Sequence, residues 1–159
     1  SELPPWRVEK GLPSWLSVTV SASGKTQTFT NTVSMAGLKP GTRVLELGSG
    51  NGDLCLWAAE RGAATLGFEI NPLLVWWSRL KAWRCGAKDC EFLCRDIWRT
   101  PFPVDTGAVF LYGMPGKMEP LWRKMERELK PGTVVVSHAF LFPGQTPEQE
   151  QGNVRLYRL

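Results

Sequence analysis

The feature that most constrains the fold of this chain is a glycine-rich turn between a short apolar run and a helix-like segment. The run Arg43–Leu47 is mostly apolar, and residues 48–52 read Gly-Ser-Gly-Asn-Gly. After this turn, apolar residues recur at helical spacing over residues 53–61. Glycines allow a tight turn from a strand into a helix, and they let a ligand approach the backbone closely. The pattern therefore predicts a strand–loop–helix unit with a ligand at the loop.

Strand-like and helix-like segments alternate along the rest of the chain. The predicted strands are Arg43–Leu47, Thr65–Ile70, Glu91–Cys94, Ala108–Tyr112, Thr133–Leu141 and Val154–Arg158. The predicted helices are Phe29–Leu38, Asp53–Arg61, Pro72–Arg84 and Lys117–Leu129. This alternation is typical of an α/β fold, in which a mostly parallel sheet carries helices on both faces. With 159 residues, of which 43% are hydrophobic, the chain fits one domain with a sizeable core.

Charge and cysteine content exclude few partners but argue against a metal site. A net charge of +4 and a pI near 9.0 are compatible with nucleic acid, an acidic protein or a membrane surface, and equally with solubility alone. The four cysteines form no Cys-x-x-Cys pair and the chain has one histidine, so we predict reduced thiols and no metal. Reduced thiols indicate an intracellular, cytoplasmic location.

The sequence contains no apolar run close to the ~18 residues that a membrane-spanning helix requires. The chain starts with Ser1 rather than Met. Membrane association through an N-terminal segment that precedes this chain therefore stays an open alternative to a purely cytoplasmic location.

The glycine turn and two later acidic positions together indicate the kind of ligand. The spacing is Gly-x-Gly-x-Gly, and Asp53 stands where a dinucleotide fingerprint has its last glycine. With Glu46 just before it, this loop suits a ligand that carries a positive charge and an amino-acid end, such as S-adenosylmethionine. Glu69 ends the second predicted strand, where an acid can accept hydrogen bonds from both ribose hydroxyls. Asp96 follows the third strand and can accept a bond from an adenine amino group, while Ile97 or Trp98 packs on the ring.

Each of these elements also has a simpler explanation: the glycine loop as a turn, Glu69 as a surface charge and Asp96 as a helix cap. Their joint order in one series of strands and helices favours a cofactor site. The predicted cofactor-binding residues are Glu46, Gly48, Ser49, Gly50, Asn51, Gly52, Glu69, Ile70, Asn71, Asp96, Ile97 and Trp98.

Several strings of residues resemble class I S-adenosylmethionine-dependent methyltransferases, which have a Rossmann-like sheet of seven strands. They are residues 45–52, Gly67–Val75, Ser78–Arg79, Ala82–Arg84, Asp96–Trp98, Glu128–Gly132 and Val135–Phe140. Within that class they most resemble the small protein-lysine methyltransferases. This family includes broad-specificity archaeal enzymes and mitochondrial enzymes that modify the ADP/ATP translocase and the ATP synthase c-subunit.

The resemblance implies an antiparallel strand at the C-terminus of a mostly parallel sheet. It also implies a methyltransferase domain over residues 43–159 and an N-terminal segment, residues 1–42, that packs on the cofactor and substrate mouth. Two positions depart from the family pattern. Asn51 stands where the family often has Asp, and Gly11–Pro13 is all that resembles its Pro-rich entry segment.

The residues after the fourth strand bear on the methyl acceptor. Enzymes that methylate adenine or glutamine amides usually carry an Asn/Asp-Pro-Pro-aromatic tetrapeptide there, whereas this chain has Tyr112-Gly113-Met114-Pro115. The difference favours a lysine amine, which Tyr112 would orient, although a half-buried strand end explains Tyr112 equally well. We expect His138 to be structural. We expect Trp76, Trp77 and Trp83 to pack in the core or at a rim rather than to stack on nucleic acid.

The sequence thus predicts an S-adenosylmethionine-dependent methyltransferase that N-methylates lysine side chains of a protein, a membrane-associated protein being among the candidates. Nucleic acid is the less favoured partner, and the oligomeric state is left undetermined. The alternatives are a methyltransferase for RNA or a small molecule, and a non-catalytic cofactor-binding module that acts through protein contacts.

Overall fold

The computed structural model describes residues 36–159, which form a seven-stranded sheet with helices on both faces. The strands are β1 (Arg43–Leu47), β2 (Ala64–Glu69), β3 (Cys90–Cys94), β4 (Ala108–Leu111), β5 (Val134–His138), β6 (Gln149–Gln151) and β7 (Val154–Arg158). The helices that lie wholly within these residues are α1 (Asp53–Ala59), α2 (Pro72–Cys85) and α3 (Met118–Glu128).

The strand order is β3-β2-β1-β4-β5-β7-β6. Strands β1 to β5 pair in parallel, and β7 pairs antiparallel with both β5 and β6. The predicted α/β class, the mostly parallel sheet and its antiparallel C-terminal strand are all confirmed. Because the chain runs outward from β1 in one direction and from β4 in the other, the order reverses between these two central strands.

The two faces of the sheet bury different side chains of the same strands. Leu45 and Val109 face α3, where they pack with Leu121 and Met125. On the other face, β1 and β4 pack against α1, and a further cluster joins α1, α2 and β3, with Phe92 at its centre. Alternation of side chains along each strand explains why both faces are apolar.

Two boundaries at the C-terminal end differ from the sequence prediction. β5 ends at His138 instead of Leu141 because Ala139 adopts a left-handed conformation (φ 71°), and the Ser137 hydroxyl donates to the Phe140 carbonyl. β6 was not predicted, because its three residues are polar and exposed and show no apolar alternation. Glu150 on β6 instead pairs with Arg155 on β7.

The orientation of α2 also corrects the sequence prediction. Trp76, Trp77 and Trp83 are exposed by 62%, 47% and 78%, so packing of these residues in the core is wrong. The inward side of the helix carries Lys81, which pairs with buried Asp53 on α1, and Ser78, which donates to the Gly50 carbonyl at 3.3 Å. This ion pair and this hydrogen bond fix the rotation of α2 about its own axis, so the indole rings point away from the core.

Other expectations are only partly covered by the described residues. Most of the predicted helix Phe29–Leu38 and most of the N-terminal segment 1–42 lie outside them. All four cysteines are free thiols. Between residues 36 and 159 there is no group of three or more metal-ligating side chains, and none of the helices is both long and apolar enough to cross a membrane.

Candidate active site

A cavity of about 260 Å³ lies at the carboxyl ends of the central strands, where the strand order reverses. In open α/β sheets this reversal leaves a crevice that ligands commonly occupy. The residues that line it are Leu47, Gly48, Phe68, Glu69, Ile70, Arg95, Asp96, Ile97, Trp98, Tyr112, Gly113 and Met114. Seven of the residues predicted for the site are therefore brought to one cavity: Gly48, Glu69, Ile70, Asp96, Ile97, Trp98 and Tyr112.

The glycine loop is held against β2 by backbone hydrogen bonds. The amides of Gly48 and Ser49 both donate to the Phe68 carbonyl, at 2.9 and 3.0 Å. Gly48 has a φ of 75° and open space where a side chain would start, so its backbone faces the cavity. At Gly52 a Cβ would lie 2.5 Å from the Phe92 ring, so this glycine lets α1 start close to β3.

Glu69 holds two segments of backbone with its two carboxylate oxygens. Oε2 accepts a hydrogen bond from the Gly50 amide, and Oε1 accepts one from the Asn71 amide, each at 2.9 Å. Asn71 in turn caps α2, since its side-chain oxygen accepts from the Leu73 amide at 3.0 Å. Glu69 therefore fixes the glycine loop relative to the start of α2, and Asn71 contributes to this arrangement from outside the cavity lining.

Glu46 has a different environment from the one its sequence position indicated. It lies on the α1 face of β1, outside the cavity lining, and its Oε2 accepts a hydrogen bond from the Cys55 amide at 3.2 Å. Burial raises the pKa of Glu46 to about 8, against the lowering effect of the bonds to Cys55. The group is mostly neutral at pH 7, so it offers no free negative charge there, and its contact with a cofactor stays a prediction.

The remaining loop residues also stand outside the cavity lining. The Ser49 side chain is buried against Gly67. A Cβ at position 67 would lie 2.7 Å from the Ser49 Oγ, so glycine is needed there. That hydroxyl has no hydrogen-bond partner among residues 36–159. Asn51 is exposed. Ser49, Gly50, Asn51 and Gly52 therefore shape the loop around the cavity, whereas Gly48 is the loop residue that lines it.

Asp96 begins a turn at the rim of the cavity. Its Oδ1 accepts a hydrogen bond from the Trp98 amide at 2.8 Å, and Arg99 lies 3.7 Å from its other carboxylate oxygen. The local capping role weighed for Asp96 is thus present in the structure, and it keeps the carboxylate at the cavity. Ile97 packs against the core, while Trp98 remains 40% exposed beside it.

The opposite wall of the cavity is aromatic. Tyr112 follows β4 and its ring lies 4.5 Å, centroid to centroid, from the ring of His138 at the end of β5. The Nδ1 atom of His138 is buried without a hydrogen-bond partner in the described part of the chain, and burial lowers the pKa of this histidine. Gly113 (φ 97°) lies against the Phe140 ring so closely that any Cβ would clash with it.

Five lining residues were not predicted as site residues: Leu47, Phe68, Arg95, Gly113 and Met114. Each lies within two residues of a predicted one, because the cavity is built from the last residues of strands and the first residues of the following loops. That placement is the signal that could have identified them. The ring contact of Tyr112 with His138 has no such signal in the sequence, since it depends on the pairing of β4 with β5.

Comparison with known proteins places these features in a family. The ANTKMT methyltransferase domain family matches residues 46–149. The human ATP synthase c-subunit lysine N-methyltransferase is 37% identical over 128 residues, which is 80% of this chain and 54% of that protein. The mouse adenine nucleotide translocase lysine N-methyltransferase is 35% identical over 120 residues, covering 74% of this chain and 51% of that protein. The chain thus spans about half the length of the curated relatives it matches.

A solved structure agrees with the fold over a longer stretch. The RNA methyltransferase from Salinibacter ruber, in complex with S-adenosyl-L-homocysteine, aligns with a TM-score of 0.75 and 29% identity. The alignment covers 83% of this chain and 88% of that one. Together with the sequence match and the strand order, this agreement shows that the chain has the class I methyltransferase fold and belongs to the ANTKMT methyltransferase domain family.

Proposed function

We propose that this chain is the methyl-transferring domain of an S-adenosylmethionine-dependent protein-lysine N-methyltransferase. The observation that carries the proposal is the single cavity that brings Gly48, Glu69 and Asp96 together with Tyr112 at the point where the strand order reverses. The relatives named as lysine N-methyltransferases, 35–37% identical over most of this chain, support the lysine specificity.

The lining of the cavity fits the cofactor. Each carboxylate oxygen of Glu69 accepts one backbone amide and retains a lone pair for a ribose hydroxyl. Asp96 and the backbone of Gly48 line the same cavity, and Ile97 and Trp98 supply apolar surface for an adenine ring. The Salinibacter ruber structure contains the demethylated form of the same cofactor.

S-adenosylmethionine, when bound, supplies a sulfonium methyl group that is already activated for transfer. The chain's own residues then have to hold the lysine amine in line with that group and exclude water. Met114 and the ring of Tyr112 make the acceptor wall mostly apolar. Removing a lysine ammonium from water lowers its pKa, which favours the neutral, nucleophilic amine. The Tyr112 hydroxyl can then orient the amine.

The acids of the cavity are poor candidates for a dedicated general base. Within the lining, the carboxylates are those of Glu69 and Asp96, and both hold backbone amides. We propose that the amine loses its proton to solvent before it enters, and that an intracellular protein presents it. Relatives are named for two such proteins, the ATP synthase c-subunit and the adenine nucleotide translocase.

RNA methylation is the second candidate, because the Salinibacter ruber protein is named as an RNA methyltransferase. The residues after β4 favour lysine over the exocyclic amine of a base. Tyr112-Gly113-Met114-Pro115 lacks the Asn/Asp and second proline with which enzymes for such planar groups usually hold them.

The test is methyl transfer from cofactor labelled on the methyl group. The purified chain is incubated with the ATP synthase c-subunit, with the adenine nucleotide translocase and with total RNA, in separate reactions. We expect label in protein, located on a lysine by mass spectrometry. Glu69→Ala should lose this activity, whereas Glu91→Ala, an exposed acid on the neighbouring strand, should retain it. Label in RNA alone would contradict lysine specificity, and cofactor binding without transfer to any acceptor would indicate a non-catalytic module.

A further inference from the structure

The outward side of α2 is apolar and exposed in a way that folding of this domain does not explain. Leu73, Trp76, Trp77 and Trp83, which we call the aromatic face, are all exposed, and Leu73 reaches 75%. Their spacing places them on one side of the helix over about 15 Å. A contiguous surface of four large, exposed apolar side chains usually marks a site of interaction.

The inward side of α2 is partly polar. It buries Ser78 and Lys81 along with Val75 and Ala82, while the outward side presents the tryptophans. The buried pair of Lys81 with Asp53 fixes this orientation, so the indoles cannot reach the core by rotation of the helix. No side chain between residues 36 and 159 covers the exposed rings.

The charges around the aromatic face are positive. Arg79 and Arg84 are both exposed on α2. Helical spacing places Arg84 within the face, between Leu73 and Trp77, and Arg79 at its edge, where its Nε donates to the Phe92 carbonyl at 2.8 Å. Helix α2 contains no acidic residue. A second copy of this helix would bring like charges together, whereas an anionic surface complements the arginines.

Tryptophan, leucine and arginine in this arrangement match the boundary between lipid headgroups and acyl chains. Indole rings settle at that level because one edge is apolar and the N–H is polar, and arginine pairs with anionic headgroups. A helix lying in the plane of the bilayer would bury Leu73 and the rings together. Nucleic acid is a poorer match. Leucine offers no surface on which a base can stack, and two arginines are too few to follow a phosphate backbone.

We propose that the aromatic face of α2 is a peripheral binding site for an anionic lipid bilayer. Ile70, two residues before the start of α2, lines the candidate active site and is itself exposed. A bilayer on the aromatic face would therefore lie next to the mouth of the cavity. This inference goes beyond the proposed methyl transfer and does not depend on it, because it concerns binding to lipid alone.

The test is co-sedimentation of the full chain with vesicles, without cofactor or acceptor. One set of vesicles is pure phosphatidylcholine, and the other contains phosphatidylcholine and phosphatidylglycerol. We expect binding to the anionic vesicles, weakened by salt, with a shift of tryptophan fluorescence to shorter wavelength. The double variant Trp76→Ser/Trp83→Ser should bind these vesicles at least about tenfold more weakly. Arg84→Glu should lose several-fold, mainly at low salt.

Matched controls make the result specific to α2. Val104→Ser and Leu141→Ser remove exposed apolar side chains elsewhere, and Arg127→Glu reverses an exposed charge on α3; all three should bind as the parent chain does. All substituted side chains are exposed, so circular dichroism should show unchanged folding. The proposal is overturned if the parent chain does not bind anionic vesicles, or if the double variant binds them as tightly as the parent chain does. It is also overturned if the tryptophans are instead required for self-association or for binding RNA.

Discussion

On the β1–β2 side of the cavity, backbone amides and carboxylates fix the geometry, whereas on the β4–β5 side aromatic rings do so. The glycine loop and Glu69 form the first side, with four hydrogen bonds of 2.9–3.0 Å to Phe68 and Glu69. Tyr112, Gly113, His138 and Phe140 form the second, through ring contacts and close packing. Under the proposed function, the first side would bind the cofactor and the second would shape an apolar mouth for the acceptor.

The largest effect should come from Glu69→Ala. The variant loses two amide contacts and the proposed ribose contacts, and each bond to a charged group is worth about 1.5–3 kcal/mol at most. We expect affinity for S-adenosylmethionine, measured by calorimetric titration, to fall roughly 10- to 100-fold in a folded protein. Glu91→Ala serves as the control. Unchanged affinity in the Glu69 variant would remove the basis for assigning cofactor binding to the β1–β2 side.

Gly113→Ala tests the other side. A methyl group there meets the Phe140 ring, and φ of 97° is strained for alanine. We expect the methyl-transfer rate to fall about tenfold while cofactor affinity changes less than about twofold, since the damage lies on the β4–β5 side. Gly116→Ala is the matched control, because it has φ of 70° but open space for its Cβ. If Gly113→Ala weakens cofactor binding as much as it slows transfer, the two sides are not separable.

The pH dependence of stability should distinguish the two sides above neutral pH. Burial raises the pKa of Glu46 to about 8 from an unfolded value of 4.5, so the folded state binds the proton more tightly. The contribution of protonated Glu46 to the free energy of unfolding is complete below pH 4.5. It is lost as pH rises through 8, where the buried carboxyl ionises. Burial lowers the pKa of His138, which stays neutral over this range and adds nothing.

We expect the free energy of unfolding to fall by about 1 kcal/mol between roughly pH 7 and 9. Denaturant titration at each pH measures this change. Glu46→Gln should flatten the profile, whereas His138→Gln should leave it as in the parent chain. A parent profile that is already flat would mean that Glu46 ionises without hindrance from its surroundings.

The smallest effect should be that of His138→Gln on the pH dependence of methyl transfer. If the acceptor is a lysine amine with an unperturbed pKa near 10.4, single-turnover rates should rise over roughly pH 7 to 9.5. The variant should keep this rise, with rates within about twofold, because the neutral imidazole only packs against Tyr112. Loss of the alkaline rise in the variant would assign proton removal to His138, and a flat parent profile would indicate an acceptor other than an amine.

Local patterns placed Gly48, Glu69, Asp96 and Tyr112 at the cavity, but they did not predict that Glu46 and the rest of the glycine loop lie outside its lining. The glycine loop, Glu69 and Asp96 are contiguous with strands whose ends define the site, so sequence order is enough to place them. The burial of Glu46 could not be predicted, because in a parallel sheet covered on both faces apolar runs do not reveal which face a residue takes. The ring contact of Tyr112 with His138 depends on the pairing of β4 with β5. The outward orientation of Trp76 and Trp83 depends on the pair of Lys81 with Asp53, which are 28 residues apart.

The hydrogen bonds around Gly50 have a consequence for communication within the molecule. Gly50 donates to Glu69, which also receives the amide of Asn71, and the Gly50 carbonyl receives the hydroxyl of Ser78 from the middle of α2. These hydrogen bonds connect the glycine loop directly to α2, the helix that we propose contacts lipid. Thermodynamic linkage is reciprocal. If bilayer binding changes the affinity for the cofactor by some factor, cofactor binding changes the affinity for the bilayer by the same factor.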